Sequence, residues 1–205
     1  MGYKPTENGG FELKNGIFYR FCKKAADDRE HNYFFIIDEI NRGNMSKIFG
    51  ELLMLIENDY RDKPIQMSYR EESFSVPSNL YIIGMMNTAD RSLAMIDYAL
   101  RRRFSFFEMK PGFKTHSFIG YLEKLNNRCL ERLVEAIVEL NNTIENDDSL
   151  GSGFCIGHSY LCNLNNNIDL ESIVEYDIIP MLREYWFDND EKFNAEAQKL
   201  KDAVK

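Results

Sequence analysis

The fold of this chain is decided by the stretch Phe34-Phe35-Ile36-Ile37-Asp38-Glu39-Ile40-Asn41-Arg42-Gly43. Together with Tyr33, its first four residues form a continuous apolar run, which is typical of a strand buried on both faces of a parallel sheet. Residues 80–86 form a second run of the same kind. Helical patterns alternate with these runs, so the sequence predicts an α/β fold with a three-layer sheet.

Two adjacent carboxylates, Asp38 and Glu39, follow the first apolar run directly. In open α/β sheets, ligands bind in the crevice beyond the carboxyl ends of the strands. We therefore expect Asp38 to hold Mg²⁺ through water and Glu39 to polarise the water that attacks a γ-phosphate. The alternative is a pair of solvated carboxylates at a strand end, without a chemical role.

Polar residues also follow the second run, where the sequence reads Asn87-Thr88-Ala89-Asp90-Arg91. If the two strands are neighbours, this segment faces the same crevice as Asp38, and the side-chain amide of Asn87 can orient the attacking water. The alternative is a turn or a helix N-cap, because Asn, Thr and Asp are favoured in both. Polar groups at the ends of two strands favour a site over coincidence.

Three consecutive arginines, Arg101, Arg102 and Arg103, lie between a predicted short helix at residues 92–101 and a predicted strand at residues 104–108. The helix dipole explains one cation at a helix C-terminus, at about 0.3–1 kcal/mol. Three adjacent like charges repel one another, so at least one of them is expected to meet an anion. The hypothesis is an arginine finger that reaches a nucleotide phosphate held by an adjoining subunit.

The phosphate-binding half of such a site is not found, because no G-x-x-x-x-G-K-[ST] segment occurs in the 205 residues. We therefore expect this chain to be the later part of a phosphohydrolase domain. Backbone amides and a lysine of that loop supply much of the phosphate binding. The chain alone is expected to bind nucleotide weakly and not to hydrolyse it.

A second, helical domain is predicted after Pro111-Gly112, where strand patterns become scarce. Apolar residues spaced three or four apart from Leu122 to Ile144 predict one long amphipathic helix. Residues 170–187 predict another helical segment, with a break near Pro180. The sequence thus divides into an α/β core at residues 1–110 and an α-helical domain at residues 111–205.

Composition narrows the functional classes. A net charge of −8 argues against broad, sequence-independent binding of nucleic acid by this segment. The four cysteines are far apart, which predicts reduced thiols and a cytoplasmic protein, and neither a leader nor a membrane span is evident. Cys155, His158 and Cys162 have a C-x2-H-x3-C spacing, but no fourth ligand is evident, so zinc is not predicted there.

A resemblance to the AAA+ module of the McrB family is carried by two strings, IIDEINRGNMSKIFGELLMLIE at residues 36–57 and YIIGMMNTADRSLAMIDYALRRRFSF at residues 81–106. More loosely, FCIGHSYL at 154–161 and IIPMLREYWF at 178–187 are similar to the helical lid of that family. The family supplies the GTP-hydrolysing motor of modification-dependent restriction systems. The resemblance implies GTP as substrate with ATP as the alternative, Mg²⁺ as cofactor, a ring of like subunits, and a McrC-like nuclease partner. DNA would be contacted through domains outside these residues.

The same resemblance assigns roles to individual residues. Asp38 and Glu39 match the Walker B pair, and Asn87 matches the sensor 1 asparagine. Asn41 and Arg42 complete the DEINR string, which implies a position near the nucleotide or the subunit interface.

The family pattern places further residues at the contact between subunits. Asp90 and Arg91 are implied to lie close to the adjoining subunit, and either Arg102 or Arg103 takes the finger position. The GHSY segment at residues 157–160 lacks the usual lid arginine, so a sensor 2 role is not predicted for it.

Two other functions are compatible with the same motifs. One is a MoxR-like or dynein-related AAA+ ATPase that remodels protein complexes, and the other is an assembly module that contributes an arginine finger but hydrolyses nothing. In AAA+ sheets the Walker A strand lies between the sensor 1 strand and the strand after the arginines. Without it, unpaired strand edges would remain, and such edges recruit partners. We therefore expect this chain to oligomerise, swap an element or rearrange.

Overall fold

The computed structural model describes residues 2–6, 9–68, 72–89, 98–164 and 169–205. The chain forms two compact units, Met1–Phe106 and Phe107–Lys205. Every β-strand among the described residues lies in the first unit, and the described part of the second unit is helical. The α/β class, with strands followed by helices, is confirmed.

The first unit contains three pairs of strands. The parallel pair joins β3 to β6, and two antiparallel pairs join β1 to β2 and β4 to β5. Its elements are β1 (Gly2–Pro5), β2 (Phe11–Lys14), α1 (Ile17–Asp27), β3 (Tyr33–Ile37), α2 (Met45–Phe49), β4 (Ile65–Gln66), β5 (Ser73–Phe74), β6 (Leu80–Gly84) and α3 (Tyr98–Arg101), with 3-10 turns at Ile40–Arg42, Gly50–Ile56 and Asn58–Tyr60.

The prediction that the two apolar runs are neighbouring parallel strands is confirmed. The register pairs Tyr33 with Leu80 and Ile37 with Gly84, so both strands end at the same edge of the sheet. Helix α1 covers one face, because the ring centroid of Phe18 lies 5.1 Å from that of Phe35.

Burial of these strands on both faces was the expectation, and it is wrong for this chain. On the face away from α1, the exposed fractions are 54% for Phe34, 58% for Ile36, 48% for Tyr81 and 44% for Ile83. The inner face is covered by helices, whereas no described element covers the outer face. The composition of the strands therefore suits a sheet with a second covering layer.

The strand predicted at residues 104–108 is also not formed. Residues 104–110 carry no regular structure, and the boundary between the two units falls within them. A strand exists only where a neighbour accepts and donates its backbone hydrogen bonds. Among the described residues, no strand pairs with this segment.

The second unit is a bundle of helices. Its elements are α4 (His116–Leu125), α5 (Arg128–Glu145), α6 (Leu170–Ser172), α7 (Ile179–Tyr185) and α8 (Asp190–Ala203), with a π-helical turn at Ile173–Ile178 between α6 and α7 and 3-10 turns at Gly112–Lys114, Ser152–Phe154 and His158–Leu161. The break predicted near Pro180 is not a gap in the helix: residues 170–185 are continuously helical and change from π to α geometry after Ile178, so that Pro180 lies in the first turn of α7. Among the residues described, no helix is both long enough and apolar enough to cross a membrane.

The single long helix predicted from Leu122 is wrong, because the chain breaks between α4 and α5. Asn126 ends α4 in the left-handed region, with φ of 45°. The side chain of Asn127 then caps α5 by accepting hydrogen bonds from the amides of Cys129 and Leu130. Asparagine tolerates the left-handed conformation and is among the best N-caps, so the two adjacent asparagines end one helix and begin the next.

A partly buried polar cluster holds the end of α5 to the later helices. Asp147 accepts hydrogen bonds from Nζ of Lys192 at 2.6 Å and from Nε1 of Trp186 at 2.9 Å. The hydrogen bonds from Lys192, Ser149 and Trp186 hold the pKa of Asp147 well below its usual range. Its carboxylate is therefore charged in the folded unit at neutral pH.

Candidate active site

The segments that follow β3 and β6 leave the sheet side by side. Beyond the last paired residues, the amide of Met85 donates to the carbonyl of Ile37 at 2.8 Å, and the amide of Ile40 donates to the carbonyl of Met85 at 2.9 Å. These bonds hold the turn at residues 38–42 against the loop at residues 85–89. The side chains of Asp38, Glu39 and Asn87 therefore start from adjacent strand ends.

Close packing at Gly84 fixes the spacing between the turn and the second strand. A Cβ atom at Gly84 would lie 2.7 Å from Cδ1 and 3.2 Å from Cγ2 of Ile40. Because Ile40 is buried, its side chain has little room to move away. The glycine thus allows the carboxylate-bearing turn to pack directly on β6, the strand that precedes the Asn87 loop.

Glu39 has an unusual backbone conformation. Its φ of 52° and ψ of 48° are left-handed, which is uncommon and unfavourable for a residue with a side chain. Arg42 closes the turn, because its amide donates to the carbonyl of Glu39 at 2.9 Å and its Nε contacts the Glu39 carboxylate. The two side chains are 38% and 60% exposed, so this ion pair contributes at most about 1 kcal/mol. Asp38 is exposed.

Asn41 links the turn to the loop that contains Asn87. Its Nδ2 donates to the carbonyl of Asn87 at 3.4 Å, and its Oδ1 is buried without a hydrogen-bond partner. Asn87 Oδ1 accepts a hydrogen bond from the amide of Ala89 at 3.0 Å. The side chain of Asn87 thus closes a turn with its own backbone. A turn was the alternative interpretation given above for the polar segment that begins at Asn87.

The arginines differ in their surroundings. Nη2 of Arg103 lies 2.5 Å from Oε1 of Glu57, and the Arg103 side chain is only 18% exposed. Arg101 and Arg102 are exposed at the end of α3. Arg103 is therefore bound within its own unit, whereas Arg102 projects into solvent.

The structure brings five of the predicted site residues to one edge of the sheet: Asp38, Glu39, Asn41, Arg42 and Asn87. Asp90 and Arg91 lie outside the described residues. Sequence reasoning missed the pairing of Arg103 with Glu57, since no local pattern joins residues 46 positions apart. It also missed the contact between Asn41 and Asn87, although both belong to polar segments at strand ends.

The oxygen atoms at this edge suit a magnesium ion. Mg²⁺ prefers oxygen ligands and usually keeps several waters, so it needs only one or two protein carboxylates. The exposed carboxylate of Asp38 meets that requirement. Within the described ranges, no group of three or more His, Cys, Asp or Glu side chains is placed to hold a metal.

The cysteines and histidine of the second unit take part in ordinary hydrogen bonds. The amide of Gly112 donates to Nδ1 of His158 at 3.0 Å, and Sγ of Cys162 donates to the His158 carbonyl at 3.4 Å. Cys155 Sγ donates to the carbonyl of Asn141 at 3.7 Å. These contacts give the three side chains structural partners in the helical unit.

Two family models match the chain. The model of the AAA domain (dynein-related subfamily) matches residues 1–104, and the model of the McrB alpha-helical lid domain matches residues 132–194. The first match covers the parallel strands and the candidate site, and the second covers most of the helical unit. The chain is therefore an AAA+ protein with a helical lid.

Two curated relatives refine this assignment. The Type IV methyl-directed restriction enzyme EcoKMcrB subunit of Escherichia coli K12 is 49% identical over 98% of this chain and 46% of its own length. The Type II restriction enzyme BsuMI component YdiS of Bacillus subtilis 168 is 33% identical over 47% of this chain and 32% of its own length. The chain spans less than half the length of either relative. Within the AAA+ class, it belongs to the McrB family.

Proposed function

We propose that this chain is part of a nucleoside triphosphatase subunit of a restriction system, with GTP as substrate and ATP as the alternative. The observation that carries the proposal is the parallel pair of β3 and β6, which holds Asp38 and Glu39 beside the Asn87 loop. Both relatives carry restriction-enzyme names, which supports the assignment to such a system.

Each polar residue at the strand ends has a proposed role. Mg²⁺ neutralises charge on the phosphates when nucleotide is bound. Asp38 holds this ion, Glu39 polarises the attacking water and Asn87 orients that water. The Glu39 carboxylate is paired with Arg42 in this structure, so it has to leave Arg42 before it can act as a base.

Arg102 is the arginine that we propose as the finger toward an adjoining subunit. Its exposure leaves the guanidinium free to reach another molecule, whereas Arg103 is bound to Glu57. Removing a finger arginine lowers turnover by about 10³-fold or more. Asp90 and Arg91 remain proposed at the same contact between subunits.

In our proposal, the other parts of the nucleoside triphosphatase subunit and its partners lie outside these 205 residues. A phosphate-binding loop completes the nucleotide site, and these 205 residues alone hydrolyse no nucleotide. The complete protein forms a ring in the cytoplasm, contacts methylated DNA through other domains, and works with a McrC-like nuclease subunit.

The test uses the complete gene product that contains these residues, with GTP and ATP turnover as the measurement. Glu39→Gln is expected to lower turnover by about 100-fold or more, since it removes the general base, while nucleotide binding is retained. Asn87→Ala is expected to act in the same direction. Glu30→Gln changes an exposed carboxylate of the same unit and is the matched control. Unchanged turnover in the Glu39 and Asn87 variants would show that the site lies elsewhere.

A second function, ATP-driven remodelling of protein complexes, has one observation in its favour. The matching AAA model is that of the dynein-related subfamily. Purification of the complete protein from its own organism separates the two functions. A bound nuclease and stimulation of turnover by methylated DNA support restriction, whereas a protein substrate and a preference for ATP support remodelling.

A further inference from the structure

The side chain of Asn41 is the strongest candidate for an unassigned role in this site. It lies in the turn that follows the Walker B carboxylates, yet its Nδ2 reaches the carbonyl of Asn87, a residue 46 positions later in the chain. Its Oδ1 is buried and has no hydrogen-bond partner. A buried carbonyl oxygen without a donor is unfavourable, so an apolar residue would fit this position at lower cost.

We infer that Asn41 is a positioning residue, which sets the orientation of Asn87 by holding the backbone of its loop. This inference rests on the proposed function, in which the Asn87 side chain orients the attacking water. It gives Asn41 a task between the two loops, distinct from a direct contact with nucleotide or with another subunit.

The closed turn at Asn87 explains how a backbone contact controls a side chain. Asn87 Oδ1 is bonded to the amide of Ala89, so the side chain and its local backbone form one ring. A hydrogen bond to the Asn87 carbonyl therefore restrains the whole ring. The backbone hydrogen bonds between the turn at residues 38–42 and the loop at residues 85–89 end at Met85. The contact from Asn41 to the Asn87 carbonyl joins the two segments two residues further along the loop.

The unpartnered Oδ1 of Asn41 indicates why the contact between Asn41 and Asn87 matters when nucleotide is bound. Oδ1 and Nδ2 belong to one planar amide, so a donor that binds Oδ1 fixes the direction of Nδ2 as well. A water molecule in the filled site is a suitable donor. The 3.4 Å contact is long for a hydrogen bond, and we expect it to shorten when the amide plane is fixed.

The experiment is a double-mutant cycle in the complete gene product, with Asn41→Ala, Asn87→Ala and both together. Asn41→Ala is expected to lower kcat by about tenfold with little change in KM, because a misplaced orienting group slows the chemical step. In the Asn87→Ala background it is expected to cause no further loss, since the two residues act as a unit. Equal losses in both backgrounds, or an unchanged kcat, would overturn the inference.

Hydrogen exchange provides a second readout that does not depend on turnover. Asn41→Ala is expected to speed amide exchange in residues 85–89 and to leave residues 80–84 of β6 unchanged. Asn41→Asp keeps the shape and an oxygen but cannot donate to the Asn87 carbonyl, so it should have the same effect in a well-folded protein. Asn32→Ala, at an exposed asparagine of the same unit, is the control.

The two readouts separate the possible failures. Faster exchange in the loop together with full turnover in Asn87→Ala would support the positioning contact and overturn the proposed role of Asn87 in hydrolysis. Unchanged exchange in the loop would overturn the positioning role, whatever happens to turnover.

Discussion

The two units of this chain bury their apolar residues in different ways. In the helical unit, Leu133, Ile137, Ile144 and Leu182 are fully buried. In the α/β unit, alternate residues of both parallel strands are about half exposed, including Phe34 and Tyr81, whose rings stack at 5.4 Å. The first pattern belongs to a self-contained core, and the second to a sheet that needs a further layer.

The helical unit and the α/β unit therefore depend to different extents on contacts outside themselves. The helical lid has what an independent folding unit requires, namely a closed apolar core and capped helices. The sheet unit has a well-packed inner face, but its outer face still offers apolar surface to a partner. Substitutions in the two units should therefore have unequal effects.

The largest effect is expected from Ile137→Ala in α5. Ile137 is 0% exposed, and truncation of such a residue costs about 2–5 kcal/mol because it leaves a cavity. The only tryptophan, Trp186, is buried in the helical unit, so its fluorescence during urea unfolding follows this unit alone. Ile119→Ala, at a residue 42% exposed in α4, is the control and should cost far less. Equal losses of unfolding free energy in the two variants would contradict a closed core in the helical unit.

The next effect concerns the charge of Asp147. Its pKa is lowered, so it stabilises the folded unit above the ordinary carboxyl pKa of about 3.9 and loses this contribution as the pH falls below it. Asp147→Asn should lower the free energy of unfolding at pH 7 by about 1–3 kcal/mol and flatten its decline in acid. Urea unfolding between pH 7 and pH 3 measures both. Asp148→Asn, at the exposed neighbouring carboxylate, is the matched control.

A third prediction tests the open face of the sheet. We expect the 205-residue chain to self-associate, and we expect Phe34→Lys combined with Ile83→Lys to weaken association by about tenfold or more, since each buried side chain contributes about 1.5–3 kcal/mol. Sedimentation velocity measures the association. Ile48→Lys, at a residue 66% exposed on α2, is the matched control. A parent chain that remains a monodisperse monomer at high concentration would contradict the expectation.

The smallest effect is expected from Phe34→Ala on the same face. Phe34 and Tyr81 are partners across the parallel strands, and a cross-strand aromatic pair contributes about 0.2–1 kcal/mol. Amide exchange of β3 and β6 should detect a loss of this size. Phe35→Ala, which removes the contacts of the inner face with Phe18 and Phe21, should cost considerably more. A larger cost at Phe34 would mean that the outer face is packed in solution.

Much of the fold was predictable where local patterns and tertiary structure agree. The two apolar runs gave β3 and β6, because the alternate residues Phe35, Ile37 and Ile82 pack against the core of the unit. The break at residues 126–127 was missed because the apolar spacing continues across it. Helix α8 was not predicted, since few of its residues are apolar, although Asn189 caps it as Asn127 caps α5.

The candidate site was only partly predictable. Asp38, Glu39 and Asn87 could be proposed because each follows an apolar run, and adjacent parallel strands bring their ends together. The left-handed backbone of Glu39 and the contact from Asn41 to Asn87 depend on the geometry of the turn. The strand expected at residues 104–108 failed for a different reason, because its pairing requires a neighbour that the local sequence does not specify.

Gly84 makes the geometry of the candidate site responsive to a single methyl group. A side chain there would press on Ile40, and that pressure would tilt the acidic turn relative to the asparagine loop without touching any polar atom. Changes in the volume of residue 40 offer the reciprocal adjustment. The volumes of residues 40 and 84 thus set the angle between the two segments of the candidate site, so the site can be adjusted while each of its polar side chains is kept.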